Sequence, residues 1–552
     1  MEKIWLKSYQ PGVRAEVDVR AYDSIPAVFD EAVRKFGNRP GFTNVGVTQT
    51  YAETAAMVDA FASYLQNVLK LPRGERVAVM MPNVLQYPIA VFGILKAGYV
   101  VVNVNPLYTP RELAHQLKDS GARTILILEN FANTLQMVLA ETPIQNVIIA
   151  NLGDLLGFVK GNLINFVLRK VKKVVPPYRI EHAIAFKSTL QQGKMHPLMP
   201  ASLTPEDLAF LQYTGGTTGV AKGAELTHGN IIANMQQAAE WMKASIQDGE
   251  EVVVTPLPLY HIFSLTVNLM IFTRHGAKNI LIANPRDTGM FIKMMKREKV
   301  TGMTGVNTLF NALVNHPEFA QLDFSTWKVV LGGGAAVQQA VADKWHKITG
   351  LPIVEAYGLT ETSPGVCVNP LNITAYTGSI GLPLPNTDVE IRDDNRMPVP
   401  LGEAGELWVK GPQVMRGYWQ RPEDTAKSMD EDGFFATGDV ATMSADGYVK
   451  LIDRKKDMVI VSGFNVYPNE VEDVVSKIPG VLEAACIGVP NEKTGEALKL
   501  FVVKKDPNLT AEEIIAFCRQ HLTAYKVPRD IEFRDELPKS NVGKILRKEL
   551  RG

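Results

Sequence analysis

Cysteine is scarce: it occurs only at Cys367, Cys486 and Cys518, an odd number at wide spacing. That excludes a disulfide framework and a zinc knuckle and suits a reducing compartment. An excess of one charge is missing too. Lys plus Arg and Asp plus Glu are 58 each, so no global field recruits nucleic acid, and no nucleic-acid partner is expected. Long apolar runs are absent. The nearest approaches are broken by Lys96 or by Asn162 and Asn165, which excludes an ordinary spanning helix. The opening Met1-Glu-Lys-Ile-Trp-Leu-Lys-Ser8 carries charges where a secretory signal has its apolar core, so a cytoplasmic location is expected. Finally, no glycine-rich stretch ends in Gly-Lys-Ser/Thr at the Walker A distance, which disfavours a simple P-loop ATPase or GTPase.

What is present is a folded chain with phosphate chemistry written into it. At 552 residues, 46% hydrophobic and 21% charged, it exceeds what one compact core organises, and two or more domains are expected. The most informative stretch is Tyr213-Thr-Gly-Gly-Thr-Thr-Gly-Val-Ala-Lys-Gly223. Its glycines let backbone N–H groups approach an anion, its threonines add hydroxyl donors, and Lys222 adds a mobile positive charge. Residues 208–212 before it read as a buried strand and 230–240 after it as a helix, so the loop is expected between strand and helix.

Apolar runs and helical patterns alternate from about residue 25 to 350: strands at 77–81, 99–104 and 124–127, helices at 88–97 and 111–120. This βαβ rhythm predicts an α/β fold with mostly parallel, helix-covered sheets and a site at the strands' carboxyl ends. After about residue 375 short strands separated by Gly and Pro, at 389–391, 405–410 and 447–452, predict a small antiparallel β-barrel or sandwich. The charged stretch Asp453-Arg-Lys-Lys-Asp457 then precedes a strand at 458–461, a helix at 468–478, strands near 484–489 and 498–503, and a helix at 511–522. The expected organisation is a large N-terminal domain over 1–453, with 375–452 its barrel part, and a smaller mobile α+β domain over 454–552 after a hinge.

Residues 155–175 interleave Phe158, Leu163, Ile164, Phe166, Val167 and Leu168 with Lys160, Arg169, Lys170, Lys172 and Lys173. A basic amphipathic helix of this type suits either a lipid headgroup layer or packing on its own domain. Peripheral membrane association and a homodimer are both left open.

Three further patterns follow the loop: Ala356-Tyr-Gly-Leu-Thr-Glu-Thr362, Ala436-Thr-Gly-Asp439 with its acid at a turn, and Pro538-Lys-Ser-Asn-Val-Gly-Lys-Ile545. In this order, over nearly the whole chain, they resemble the adenylate-forming superfamily of acyl-CoA synthetases, peptide-synthetase adenylation domains and luciferases. Val104-Asn-Pro-Leu-Tyr-Thr-Pro-Arg-Glu112, Pro256-Leu-Pro-Leu-Tyr-His-Ile-Phe263 and Val461-Ser-Gly-Phe-Asn-Val-Tyr-Pro468 look most like bacterial long-chain fatty-acid CoA ligases.

The resemblance implies a fatty acid, ATP and CoA as substrates and Mg²⁺ as cofactor. By resemblance, Tyr213, Thr214, Gly215, Gly216, Thr217, Thr218, Gly219 and Lys222 hold the departing phosphates. Glu361, with Thr214, binds Mg²⁺, and Thr360 lies near the α-phosphate. Tyr357 stacks on adenine, Asp439 and Arg454 take the ribose, and Lys544 bridges the substrate carboxylate and the α-phosphate. Lys456 is the pivot of a domain swing, Ser462, Gly463 and Phe464 line the pantetheine tunnel, and His261 sits beside the acyl carbonyl. Phe263, Leu265, Val267 and Met270 with Gly332-Gly-Gly334 and Ala335 are expected acyl-pocket walls. No carrier module follows Lys544, which favours free CoA. An aryl- or medium-chain acyl-CoA ligase, an acyl-AMP ligase loading a carrier protein, and a non-catalytic nucleotide or lipid binder are the alternatives.

Overall fold

The computed structural model describes residues 2–214 and 221–551. Four sheets organise them. The first has seven strands in the order Ile184–Ala185, Asn146–Ala150, Thr124–Leu128, Arg76–Met80, Val100–Asn103, Leu208–Thr214 and Lys222–Thr227. All neighbours are parallel except the last pair. The crossover helices Gln86–Lys96 and Pro110–Ser120 fall within two residues of the predicted ones. Local chemistry sets their ends. Thr109 and Glu112 form a reciprocal capping box, Pro110 occupies the first turn, and Gly121 closes the helix at φ +64°, a conformation a Cβ disfavours.

The second sheet has nine strands. Its parallel centre contains Pro40–Asn44, Lys278–Leu281, Val252–Thr255, Gly302–Gly305, Val329–Gly333 and Val354–Gly358, with antiparallel strands at both edges. Buried Val, Ile, Leu and Phe side chains of helices and strands from both sheets merge into one core, so the two sheets meet through the helices between them.

Three expectations are corrected here. The strand Leu208–Thr214 is followed first by a second strand, Lys222–Thr227, paired antiparallel with it in the register Tyr213↔Gly223 and Thr214↔Lys222, and only then by the helix His228–Met242. The phosphate-loop stretch is therefore flanked by two paired strands, 222–227 lying antiparallel to 208–214 with Gly223, Ala224, Leu226 and Thr227 buried. The expected barrel is an open four-stranded antiparallel sheet, Asp388–Arg392, Gly405–Lys410, Phe435–Met443 and Val449–Arg454, with the first and last strands as edges. Four short strands do not supply the shear that closure needs. Asp439, expected at a turn, lies inside the nine-residue strand Phe435–Met443, where Gly438 at φ +73° and a register shift at Val440/Ala441 bend the chain.

The fourth sheet joins Phe464–Val466, Val459–Val461, Gly495–Lys504 and Val481–Asn491, with Asp530–Arg534 pairing parallel to Gly495–Lys504. Helices Pro468–Ser476 and Ala511–His521 pack on it over their own core. The charged stretch expected as a hinge forms a turn after Val449–Arg454: Lys455 donates its N–H to the Gly438 carbonyl at 3.0 Å and Asp457 donates to that of Arg454 at 3.0 Å. Among the described residues no helix is long and apolar enough to cross a membrane.

Candidate active site

A cleft of about 2190 Å³ lies at the carboxyl ends of Leu208–Thr214, Val329–Gly333 and Val354–Gly358 and is closed over by the C-terminal segment 539–551. Its position is the one that an α/β sheet leaves for ligands. Thr214, Lys222, His261, Tyr357, Thr360, Glu361, Asp439, Arg454, Lys456 and Lys544 all line it, as does Tyr213. Gly215, Gly216, Thr217, Thr218 and Gly219 lie outside the described residues.

The strand Val354–Gly358 places Tyr357 in the cleft, where its hydroxyl donates to Asp439 Oδ2 at 2.6 Å. Asp439 Oδ1 lies 3.1 Å from Arg454 Nε, its partner across the strand pair. Burial first, then the Asp439 charge, holds the Tyr357 hydroxyl protonated well above its ordinary range. The result is a fixed ring edged by a carboxylate whose own orientation a guanidinium sets, suited to a planar base and vicinal hydroxyls.

Glu361 follows in the short turn Thr360–Thr362 and accepts the Tyr418 hydroxyl at 2.8 Å on Oε1. Burial pushes its carboxyl up, against the Tyr418 bond and the Arg454 charge. A buried carboxylate with so little cationic company gains by a hard divalent ion, and one carboxylate plus substrate phosphates is how Mg²⁺ is commonly held, so these residues fit the metal. Lys222 Nζ lies 3.0 Å from Asp424 Oδ1 and 5.1 Å from the centre of the Tyr418 ring. Tyr213 donates its hydroxyl to Asp119 Oδ2 at 2.7 Å, and Arg421 pairs with the same carboxylate at 2.8 Å. The Tyr213 hydroxyl thus anchors its strand.

Lys544 reaches the cleft from the C-terminus. Ser540 donates its N–H to the Lys544 carbonyl at 2.7 Å, Ser540 Oγ accepts the Lys544 N–H at 3.1 Å, and Thr308 donates its hydroxyl to the Gly543 carbonyl at 2.9 Å. A Cβ on Gly334, at φ +78°, would stand 3.4 Å from Lys544 Cε, so this glycine, expected in the acyl wall, flanks the lysine stem. Burial, then the Arg454 charge, brings the Lys544 ammonium down to about 8, against Asp439 and Glu361. His261 is held by its loop: Asn83 donates to the Leu257 carbonyl at 2.9 Å and accepts the Leu259 N–H at 2.8 Å. His261 Nδ1 accepts the Phe263 N–H at 3.4 Å, and burial with the Lys544 charge lowers the imidazole to about 3, leaving it neutral.

Lys456 borders the cleft with its ammonium lowered to about 8 by burial and Arg454. Ser462, Gly463 and Phe464 do not join the lining. Ser462 and Gly463 form the turn between Val459–Val461 and Phe464–Val466, with Ser462 at φ +52°, and Phe464 opens the second strand, stacked 4.7 Å from Tyr525. Of the expected acyl walls, Phe263, Val267, Gly332, Gly333 and Ala335 line the cleft, whereas Leu265 and Met270 are buried in the core.

Sequence reading missed Glu355, Tyr418, Asp119, Trp241 and Met242. Glu355 shares the face of Tyr357 by strand alternation; its Oε1 accepts the Val337 N–H at 3.2 Å, its Oε2 is without a partner among the described residues, and burial lifts it to about 8. Trp241 and Met242, at the end of His228–Met242, line the apolar side of the cleft. The alternation at 354–358 could have pointed to Glu355; nothing local marks the others, whose roles arise from chain crossings.

The fold and this cleft define an enzyme that brings a nucleotide and an anion together. A family model described as AMP-binding enzyme matches residues 29–419, and one described as AMP-binding enzyme C-terminal domain matches 470–544. The chain belongs to the AMP-binding enzyme family. It is 55% identical over 551 residues to a long-chain-fatty-acid–CoA ligase of Yersinia pestis, covering 100% of this chain and 98% of that one. To the ligase of the same description from Salmonella typhi it is 54% identical over 551 residues, with 100% and 98% covered. The solved structure of the anthranilate CoA ligase AuaEII in complex with anthranoyl-AMP superposes with a TM-score of 0.85 at 23% identity, over 97% of this chain and 98% of that one, a likeness of fold.

Proposed function

We propose that the chain ligates a long-chain fatty acid to CoA at the expense of ATP, through an acyl adenylate, releasing AMP and pyrophosphate. The observation that carries this reading is the meeting of Lys544 with the Tyr357–Asp439–Arg454 group and Glu361 in one cleft. The 55% identity to a long-chain-fatty-acid–CoA ligase supports the substrate class.

In the first half-reaction a carboxylate oxygen of the acid attacks the α-phosphorus of ATP, the new O–P bond replaces the bond to the β-phosphate oxygen, and pyrophosphate departs. Two anions must meet, so the protein's part is to place positive charge and donors where charge develops. Lys544 bridges the carboxylate and the α-phosphate. Thr360 donates to the α-phosphate, while Thr214, Lys222 and the stretch 215–219 receive the departing phosphates. Mg²⁺, held by Glu361 with Thr214 nearby, supplies charge neutralisation. Tyr357 stacks on the base, the unpartnered Oε2 of Glu355 hydrogen-bonds its edge, and Asp439 with Arg454 fixes the ribose.

In the second half-reaction the CoA sulfur attacks the acyl carbon, its proton passes to solvent, and AMP leaves with its phosphate oxygen. Positioning is sufficient here because AMP leaves readily. The C-terminal unit beyond Lys456 turns about that residue against the rest of the chain, withdrawing Lys544 and bringing Ser462, Gly463 and Phe464 to the cleft. That motion accounts for their place outside it in the Lys544-inserted arrangement. His261, neutral, orients the acyl carbonyl by a hydrogen bond. Trp241, Met242, Phe263 and Val267 receive the alkyl chain.

Oleate, ATP, Mg²⁺ and CoA are expected to yield oleoyl-CoA, AMP and pyrophosphate in equal amounts, resolved by chromatography. ADP or inorganic phosphate as the primary product overturns the reaction, and preference for benzoate or octanoate overturns the substrate class.

The reading includes a place at a membrane, where such acids partition. The helix Phe158–Phe166 and its continuation Val167–Val171 turn Phe158 (82% exposed), Val159 (78%), Leu163 (60%) and Phe166 (58%) to solvent, while Gly161 packs against Gly153. Apolar side chains thus face water beside Lys170, Lys172 and Lys173, the arrangement of an interfacial helix on anionic lipid. Serine at Phe158, Leu163 and Phe166 together is expected to lower flotation with phosphatidylglycerol vesicles about tenfold or more, given roughly 0.8 kcal/mol per buried CH₂. Unchanged flotation sinks the assignment, and dimerisation through this face, seen by sedimentation without lipid, redirects it to a homodimer.

A further inference from the structure

Lys544 acts from a mobile C-terminal unit, so something must hold that unit in the arrangement where the lysine enters the cleft. Three residues on, Arg547 makes a buried fork. Its Nη1 lies 3.0 Å from Asp453 Oδ1, its Nη2 2.8 Å from Glu472 Oε2, and its Nε donates to Glu472 Oε1 at 3.0 Å. Nη2 also donates to Asn469 Oδ1 at 2.5 Å, and Nη1 stands 3.6 Å from Asp457 Oδ2.

These partners belong to different parts of the molecule. Glu472 and Asn469 are on the helix Pro468–Ser476 that packs on the C-terminal sheet. Asp453 is in Val449–Arg454, the edge strand of the four-stranded sheet, next to the Arg454 that holds Asp439. The Asp453 side chain is 1% exposed, and its Oδ2 accepts the Asn469 N–H at 2.8 Å while Oδ1 also accepts the Arg454 N–H at 2.8 Å. One carboxylate therefore receives donors from the ribose-binding strand and from the C-terminal unit at once. The turn 455–457, with the pivot Lys456, lies between them.

We propose that Arg547 is a positioning residue for acyl-adenylate formation: its bridge from Glu472 to Asp453 latches the Lys544 turn over the cleft. This rests on the reading of Lys544 given above. The planar fork matters because it satisfies two carboxylates in fixed geometry, which a lysine ammonium does not. A misplacement of about 1 Å at a reacting group costs about a hundredfold in rate.

The test compares ATP–pyrophosphate exchange driven by oleate with oleoyl-CoA formation from supplied oleoyl adenylate, in the full-length enzyme. Asp453→Asn leaves the Arg547–Glu472 pair of the C-terminal unit intact and so separates latching from folding. Both Asp453→Asn and Arg547→Met are expected to slow exchange about ten- to hundredfold and to leave thioester formation within about twofold. Arg547→Lys is expected to recover part of the exchange rate. Lys544→Ala serves as the reference for a selective adenylation defect. Equal loss of both half-reactions in Asp453→Asn, or full exchange activity in both latch variants, overturns the latch while leaving the lysine's role standing. If Lys544→Ala itself keeps full exchange, the reading of the lysine fails and the latch with it.

Discussion

Alanine at position 544 is expected to lower acyl-adenylate formation about 10²–10³-fold, the range for losing one group aimed at developing charge, and to leave thioester formation from supplied acyl adenylate near its original rate. The reason is placement: Lys544 enters the cleft beside Gly334 from a turn that Ser540 and Thr308 hold, and it shares that cleft with Tyr357, Asp439, Arg454 and Glu361, the groups proposed to take the nucleotide and its metal. In the proposed mechanism the second half-reaction follows its withdrawal. Single-turnover assays with labelled ATP and with synthetic acyl adenylate separate the steps, and parallel loss in both would contradict the assignment.

The same lysine sets a pH limb. Burial and the neighbouring Arg454 hold its ammonium down to about 8 in the free enzyme. In the proposed bridge the charged form is the working one, and it is lost as pH rises through that value, so kcat/KM for adenylation should fall above about pH 8, since this ratio reports the free enzyme. Bound triphosphate favours the ammonium and moves the limb in kcat to higher pH. His261, lowered to about 3, stays neutral and contributes no step between pH 5 and 8. A limb that persists unchanged in Lys544→Ala would belong to another group.

Asp439→Ala should weaken ATP binding about a hundredfold, because it removes two partnerships together: the Tyr357 hydroxyl at 2.6 Å and Arg454 at 3.1 Å. The Tyr357 hydroxyl is left buried without its acceptor, a loss of about 1–3 kcal/mol of stability for such a group. Arg454 is 41% exposed and finds water, so its share is small. Asp439→Asn, which keeps an acceptor for Tyr357 and loses the charge pair, should recover most of the stability and little of the affinity. Calorimetric titration with ATP and urea unfolding read the two quantities. Loss of stability with unchanged affinity would make Asp439 a structural residue alone.

The order of the motifs and most central strands and helices could be read from local pattern, because each depends on residues within a few positions: a capping threonine, an apolar alternation, a terminating glycine. The C-terminal strands and helices were legible for the same reason. Glu355 was readable in principle from its spacing to Tyr357, yet its free oxygen in the cleft depends on what packs around Val337. Packing alone paired 222–227 with 208–214, left the antiparallel sheet open, and put Asp439 in a strand opposite Arg454. It turned the apolar face of 158–166 outward and joined Asp453 to Glu472 through Arg547. A pattern of near neighbours encodes the element; register, sheet edges and the crossing of distant segments decide which charges meet, and those depend on contacts between residues far apart in the chain.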